Sequence, residues 1–395
     1  MATIAMFVWN DFRHDARVLK EAQTLAGAGH EVTVHALLAP GHTPAEQTMH
    51  DGVKVRRLPR SPLGGKASAS RSGGVGMAWK IATRLLTHLR FCWRLARQGA
   101  DVIHAHDVNV LPTAWLAARL SGARIVYDAH EISTSREGYG SLRRLVGALE
   151  HSLFSRMDGT ITTTNARAKF FARAYNVQRP VVLQNRPRRS AVPPTDRLRD
   201  ELSLPQRWPI ILYQGGLQQG RGLEGLIGAM ATVPRAYLVL IGGGQLGPRL
   251  RQLAKDPALE RRVFIVPTVP LAQLPSYSAA ADIGVQPIVN TCLNHATTDS
   301  NKLFEYIMAG LPVVATDLRE IRAVVQGYRV GELVPSGDTA QLAHTLRRLV
   351  EAPALRETYR RNACRARAEL HWESQESRLL GLYAALLGAP VACPR

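Results

Sequence analysis

Short β-branched runs alternate with helically spaced apolar residues along this chain, and the whole alternation occurs twice. That repeated rhythm restricts the fold more than any single motif does. Strands are expected at 4–8, 31–36, 53–57, 102–105, 124–127 and 159–163, and helices at 15–26, 77–97, 145–156 and 165–175. The pattern restarts beyond a Pro- and Arg-rich stretch, Arg186-Pro187-Arg188-Arg189 through Pro193-Pro194, which reads as an interdomain linker. The second set of strands is expected at 210–213, 237–241, 263–266, 283–286 and 313–315. Its helices are expected at 223–232, 247–254, 271–280, 301–308, 318–325 and 339–350, with a last one over 372–387. Strands alternating with helices build parallel, doubly wound sheets, so the fold class is α/β with two Rossmann-like domains. At 395 residues each half is large enough to bury its own core. Two such sheets facing one another leave a central cleft at the carboxyl ends of their strands, where ligands bind in this class.

An apolar content of 46% indicates a globular chain. Cys92, Cys292, Cys364 and Cys393 lack metal-ligand spacing, which points to a reduced, cytoplasmic setting. Met1 to Val8 lacks the basic start of a signal peptide and reads as a first strand. No apolar run approaches the roughly 20 residues that a membrane-crossing helix needs.

Lys and Arg number 50 against 31 Asp and Glu, a formal charge of +19. Such a field favours anionic partners such as nucleotide diphosphates or anionic lipid. A solvated Arg-rich surface is the plainer account. No zinc-finger, RNA-recognition or KH-type pattern accompanies the charge, so nucleic acid is not expected as a partner. The expected helix at 77–97 carries Trp79, Lys80, Arg84, Leu85, Trp93 and Arg97. It reads either as a membrane-docking surface or as a sheet-covering helix with a solvated basic face. The glycine- and serine-rich stretch from Pro59 to Gly76 reads as a mobile loop.

The most chemically informative segment runs from Asp299 to Asp317. Asp299 and Ser300 suit a cap position, Leu303, Tyr306 and Ile307 recur at helical spacing, and Gly310 stands where a left-handed stop belongs. A helix N-terminus gathers unpaired N–H groups and partial positive charge, so with Lys302 in its first turn it is suited to phosphate. Glu305 follows one turn later, placed to accept hydrogen bonds from the two hydroxyls of a ribose. Arg221 follows a glycine-bearing turn that opens directly after an expected strand, and guanidinium binds two phosphate oxygens at once. Taken singly, Arg221 is a surface-turn residue, Lys302 an exposed lysine and Glu305 a solvent-facing one; their combination points to a nucleotide-sugar site.

The 299–317 segment resembles the C-terminal signature of the family 4 glycosyltransferases (glycosyl transferases group 1), retaining enzymes of the GT-B fold. Asn10 to Val18 followed by Gly29-His30-Glu31-Val32 is similar to the family's first loop, helix and second strand. Asp101-Val102-Ile103-His104-Ala105-His106 and Val126-Tyr127-Asp128-Ala129-His130-Glu131 resemble its inner strands. Gln214-Gly215-Gly216-Leu217, Arg221-Gly222 and Ile241-Gly242-Gly243-Gly244 resemble the opening of its donor domain. The resemblance implies an acceptor-binding domain over 1–187, a donor-binding domain over 188–370, and a final helix, 371–395, crossing back to the first domain on Trp372 and Leu379. It implies that Glu305 binds the donor ribose and that Gly215, Gly216, Arg221, Ser300, Asn301, Lys302 and Leu303 surround the diphosphate. By the same resemblance the backbone at Pro267 and Val269 reads the base, and His130 faces the donor sugar as a hydrogen-bonding group. His130, Arg221 and Lys302 are thus the expected catalytic residues. His130 also has a plainer reading as the cap of a strand end. Asp11, Arg13, His14 and Asp15 are expected near the acceptor, although Asp15 also suits a helix cap. Gly243 belongs either to a phosphate loop or to a tight turn.

Two departures stand out. Thr297 occupies the first position of a Glu pair that the family often carries, and Gly216 occupies the position of its usual Arg. His104, His106 and Asp107 invite a metal reading, but no third ligand stands at a telling spacing, so neither a metal nor a cofactor is expected. The expected activity is transfer of a sugar from a nucleotide-diphosphate sugar to an acceptor hydroxyl, with retention implied by the family alone. The acceptor is a glycan, a lipid-linked intermediate or a small molecule, reached in the cytoplasm or at the inner membrane face. A nucleotide-sugar 2-epimerase on the same fold is one alternative, although it needs acid and base carboxylates that the chain does not display. A degenerate nucleotide-sugar-binding module is the other, motivated by Thr297 and Gly216.

Overall fold

The computed structural model describes residues 1–60, 74–135, 142–190 and 192–388. It divides into two compact units: Met1–Gln184 together with the chain from Gln375 onward, and Asn185–Ser374.

Unit 1 holds β1 (Thr3–Phe7), β2 (Glu31–Leu38), β3 (Glu46–Thr48), β4 (Lys54–Pro59), β5 (Val102–His106), β6 (Arg124–Ala129), β7 (Gly159–Thr162) and β8 (Val181–Val182). They form one sheet in the order β3-β4-β2-β1-β5-β6-β7-β8, parallel except where the short edge strand β3 runs against β4. Met6 in β1 lies opposite both Val34 and His104. Ile4 to Phe7 are all buried, which explains why this strand is apolar throughout and does not alternate.

Unit 2 holds β9 (Ile210–Gln214), β10 (Tyr237–Ile241), β11 (Val263–Val266), β12 (Ile283–Gln286), β13 (Val313–Thr316) and β14 (Gly331–Val334). This sheet is fully parallel, in the order β11-β10-β9-β12-β13-β14. One apolar cluster joins Leu212, Val239, Leu303, Ile307 and Val313, and a second joins Ile211, Leu238, Leu226 and Leu346. The two expected doubly wound units are both present.

Several elements were not anticipated from the sequence. Helix Leu111–Ser121 is rich in small alanines that face the core, so its apolar periodicity is faint. β14 is half-polar and follows a helix directly, and helix Pro353–Ala366 buries little more than Ala363 and Ala366. Of the glycine-rich stretch from Pro59 to Gly76, residues 61–73 lie outside those described, and from Gly74 the chain is already in helix Gly74–Arg97. The final helix, Glu373–Leu387, buries Leu379, Tyr383 and Leu386. It is tied into unit 1 by the Thr24 hydroxyl donating to Glu376 at 2.9 Å and Arg378 donating to the Val182 carbonyl at 3.1 Å. Trp372 belongs instead to unit 2, where its N–H donates to the Pro187 carbonyl at 2.7 Å. No helix among the described residues is long and apolar enough to cross a membrane.

Candidate functional site

Unit 2 brings the ends of β9 and helix Asn301–Met308 together. That helix begins as the sequence suggests, but Ser300 at its N-cap adopts φ +55° and its side chain makes no capping hydrogen bond. The Leu303 N–H closes back on the Ser300 carbonyl at 3.1 Å, and the Ser300 side chain caps no first-turn N–H group. The far end closes conventionally: Gly310, at φ +75°, donates to Ile307 and Leu311 donates to Tyr306 across a left-handed turn. Leu303, Phe304, Tyr306 and Ile307 are buried, which fixes the rotation of the helix and sets Lys302 and Glu305 on its open side.

Lys302 is held among specific neighbours. Its ammonium stands 5.3 Å from the centre of the Tyr213 ring. Its side chain runs across Gly215, where an added Cβ would collide with Cε and Nζ. Gly215 is also at φ +130°, so this turn accepts no other residue without strain. Burial, then the charge of Arg221, lower the Lys302 pKa to about 8, with Glu305 opposing them. A depressed lysine beside an arginine is a site short of negative charge. Glu305 accepts a hydrogen bond from the Gln214 amide at 2.6 Å, and Gln214 in turn accepts one from the Ser278 hydroxyl at 2.8 Å. The Gln214 N–H donates to the Tyr306 hydroxyl at 3.2 Å. The sequence reading missed Gln214 and Tyr306; their signal was a polar residue ending a buried strand and a tyrosine amid a helix's apolar face.

The neighbouring turns are backbone-built. Gly215 donates to Ile241 and Leu217 to Gly243, so Gly242–Gly244 forms a tight turn laid on the Gly215–Leu217 turn. Gly243 thereby sits in the same turn cluster as Gly215, while Gly216 is exposed. Pro267 and Val269 follow β11 at the sheet edge, Pro267 exposed and Val269 partly packed on the core. Gly222, at φ +70°, lies so close to the Pro287 carbonyl that a Cβ would overlap it. A cavity of about 240 Å³ opens beyond Gly220 and Gly222, lined also by Leu223, Pro287 and Asp338. Neither Lys302 nor Glu305 lines it.

Unit 1 buries a charged network that sequence spacing concealed. Arg17 donates from Nε and Nη2 to the two oxygens of Asp128 at 2.7 and 2.9 Å, and from Nη1 to the Leu183 carbonyl at 2.6 Å. Its Nε is also 3.1 Å from Glu21. His130 Nε2 is 2.9 Å from the same Asp128 oxygen. Burial works against charge on His130, but Asp128 overrides it and lifts the imidazole to about 9. Burial likewise opposes charge on Asp128, yet Arg17 and His130 hold it well below the usual carboxylate range. Burial and then Asp128 push Glu21 well above that range. His104 and His106 stack with ring centres 4.1 Å apart, and the Tyr383 hydroxyl hydrogen-bonds His104 Nδ1 at 2.9 Å. Here the structure corrects the sequence reading, which saw no third partner for the two histidines. Potential ligand atoms of Glu21, His104, His106 and Asp128 lie within 4.8 Å of one another, all buried. The two carboxylates come from a helix and a strand remote in sequence, and Arg17 contacts both, supplying the compensating charge.

The first loop is organised locally. Asp15 caps helix Ala16–Gly27 through the Val18 N–H, Asn10 donates to Asp15 at 2.7 Å, and Arg13 pairs with Asp11 at 2.7 Å. His14 is exposed. Arg57 donates to the Asp11 carbonyl at 3.0 Å, holding the loop on the sheet. Asp15 is thus a structural cap, and of the four expected acceptor residues the loop brings Asp11 and Arg13 together.

Comparison with known proteins is consistent along the chain. Residues 208–352 match the family model described as glycosyl transferases group 1, and residues 15–186 match that of the glycosyl transferase 4-like domain. A D-inositol 3-phosphate glycosyltransferase of Xylanimonas cellulosilytica is 24% identical over 387 residues, covering 93% of this chain and 90% of that protein. The alpha-D-kanosaminyltransferase of Streptomyces kanamyceticus is 26% identical over 370 residues, covering 88% of this chain and 92% of that one. Among solved structures, sucrose-phosphate synthase from Thermosynechococcus elongatus superposes with a TM-score of 0.81 at 20% identity, covering 99% of this chain and 100% of its own. Anabaena HepE in complex with UDP-glucose gives 0.75 at 18% identity, covering 98% and 100%. The chain belongs to the group 1 glycosyltransferases, as an enzyme of the GT-B fold that transfers a sugar from a nucleotide-sugar donor.

Proposed function

We propose that unit 2 binds the donor diphosphate at the start of helix Asn301–Met308, between Lys302 and Arg221, with the donor ribose on Glu305. The observation that carries this is a first turn that the Ser300 side chain does not cap, beside a lysine whose charge burial and Arg221 disfavour. Glu305, already oriented by Gln214, offers its remaining oxygen to ribose hydroxyls. Solved relatives of the fold include complexes with UDP and UDP-glucose, which supports a uridine nucleotide as the first donor to test.

Transfer needs the nucleotide diphosphate to leave with its charge stabilised. Lys302, Arg221 and the N–H groups at Asn301 and Lys302 supply that stabilisation without calling on a metal. With retention, the acceptor oxygen attacks the face from which the diphosphate departs. The bond from the sugar's anomeric carbon to phosphate breaks, the bond to the acceptor forms, and the acceptor proton passes to the leaving phosphate oxygen. The protein works in the cytoplasm on a glycan, lipid-linked or small-molecule acceptor, in peripheral contact with an anionic membrane face.

Titration of the protein with a panel of nucleotide sugars tests the site. Glu305→Ala and Arg221→Ala are each expected to weaken donor binding about tenfold or more, the cost of losing a charge-assisted hydrogen bond. Unchanged affinity in both variants contradicts the assignment.

A further inference from the structure

Thirteen large apolar side chains stand exposed among the described residues, and ten of them lie on, or at the cap of, three helices of unit 1. The helices are Gly74–Arg97, Leu111–Ser121 and Arg143–Phe154, and each packs beside the next. On the first, Ile81, Leu85, Leu89 and Trp93 are 54, 59, 61 and 61% exposed. They recur every fourth residue and so share one face. The opposite face of that helix buries Phe91, Cys92 and Leu95 in the core, so the outer stripe is surplus to what the fold needs. Leu116 and Leu120 continue the apolar surface on the second helix, and Leu145 and Leu149 on the third. A monomer of this size seldom leaves so many large apolar groups clustered in water.

The exposed charges on these helices have a single sign, although Glu46 of β3 reaches Arg94 on the first helix at 3.3 Å. Lys80, Arg84, Arg90 and Arg97 are exposed on the first helix, Arg119 on the second, and Arg143 and Arg144 on the third. Across all three helices the one carboxylate is Glu150, which is buried and accepts hydrogen bonds from Tyr127, Ser133 and Tyr175. Among their described residues the three helices therefore pair an apolar centre with cations and no exposed carboxylate.

We infer that this three-helix face seats on an anionic phospholipid bilayer, with its leucines and Trp93 at the acyl boundary and its Arg and Lys side chains among the headgroups. A second copy of the chain would set one cationic surface against another. A nucleic acid would meet aliphatic leucines on which bases gain little by stacking. A bilayer interface satisfies both halves of the surface at once. This deepens the peripheral membrane contact proposed above and does not depend on the donor site, which is titrated separately in the absence of lipid.

The test is co-sedimentation of the full chain with phosphatidylcholine vesicles, with and without phosphatidylglycerol. Binding is expected only where phosphatidylglycerol is present, and it should weaken as salt is raised. The double variant Leu85→Ser/Leu89→Ser should lower vesicle affinity about tenfold or more, while its donor affinity, measured without lipid, stays at the parent value and reports an intact fold. Leu271→Ser, on unit 2, should bind vesicles like the parent. Failure to sediment with anionic vesicles at low salt overturns the inference. So does equal binding to neutral vesicles, or a double variant that binds as well as the parent. A dimer in lipid-free solution that the double variant dissolves would assign the face to a second copy instead.

Discussion

Replacing Lys302 with Ala should lower kcat/KM for sugar transfer about 10²- to 10³-fold, the usual loss when a preorganised charge facing a leaving group is removed. The fold should survive, because burial and Arg221 already disfavour the lysine's charge and the apolar residues that dock its helix are untouched. The pH dependence separates this role from mere positioning. In the free protein Lys302 loses its proton as pH rises through about 8, burial and Arg221 having lowered it from its ordinary value. The bound diphosphate favours the protonated form, so donor dissociation constants should be flat below that pH. Above it they should rise by up to about tenfold per unit until the bound-state pKa is reached. Lys302→Ala should bind weakly at every pH and lack this inflection, and isothermal titration at a series of pH values reads both features. A variant that retains the inflection would show that another group titrates.

Arg17→Met should cost about 3–5 kcal/mol of stability, read from the urea midpoint, because it removes the first of the two cations that hold the buried Asp128 charge and leaves only His130. Asp128 loses both hydrogen bonds from the guanidinium, and the Leu183 carbonyl loses its donor as well. The double variant Arg17→Met/Asp128→Asn should recover part of the loss, since no buried ion then remains unpaired at that position. Equal instability in the single and double variants would mean that packing of the arginine stem, and not its charge, carries the effect. The same network sets the charge on His130. Asp128→Asn should therefore let burial pull the His130 pKa down from about 9, a change that NMR titration of the imidazole would follow.

The division into two doubly wound sheets was readable because buried parallel strands must be continuously apolar and helices must cover both faces. Segments such as Tyr237–Ile241 and Asn301–Met308 carry those requirements openly. Helix Leu111–Ser121 escaped because alanines pack closely on a sheet without producing a strong apolar period. The donor-side cluster was legible in part: Lys302 and Glu305 share one short helix, whose turn of separation is fixed by geometry. Gln214, which orients Glu305, was not, since a hydrogen bond between residues 91 positions apart leaves no local trace. The same holds for Arg17 and Asp128, separated by 111 positions. His104 and His106 showed their shared strand face, but the carboxylates beside them arrive from elements that only the sheet order brings near. Ser300 carried a subtler difference: its identity suggests a cap, whereas it adopts φ +55° and its side chain makes no capping hydrogen bond.

The most direct measurement is a crystal structure of the protein with the tightest-binding nucleotide sugar of the panel. The diphosphate is expected within hydrogen-bonding reach of the Asn301 and Lys302 N–H groups, the Lys302 ammonium and Arg221, with the ribose hydroxyls on Glu305. A diphosphate seated instead in the cavity between Gly222, Pro287 and Asp338, with Lys302 and Glu305 untouched, would contradict it.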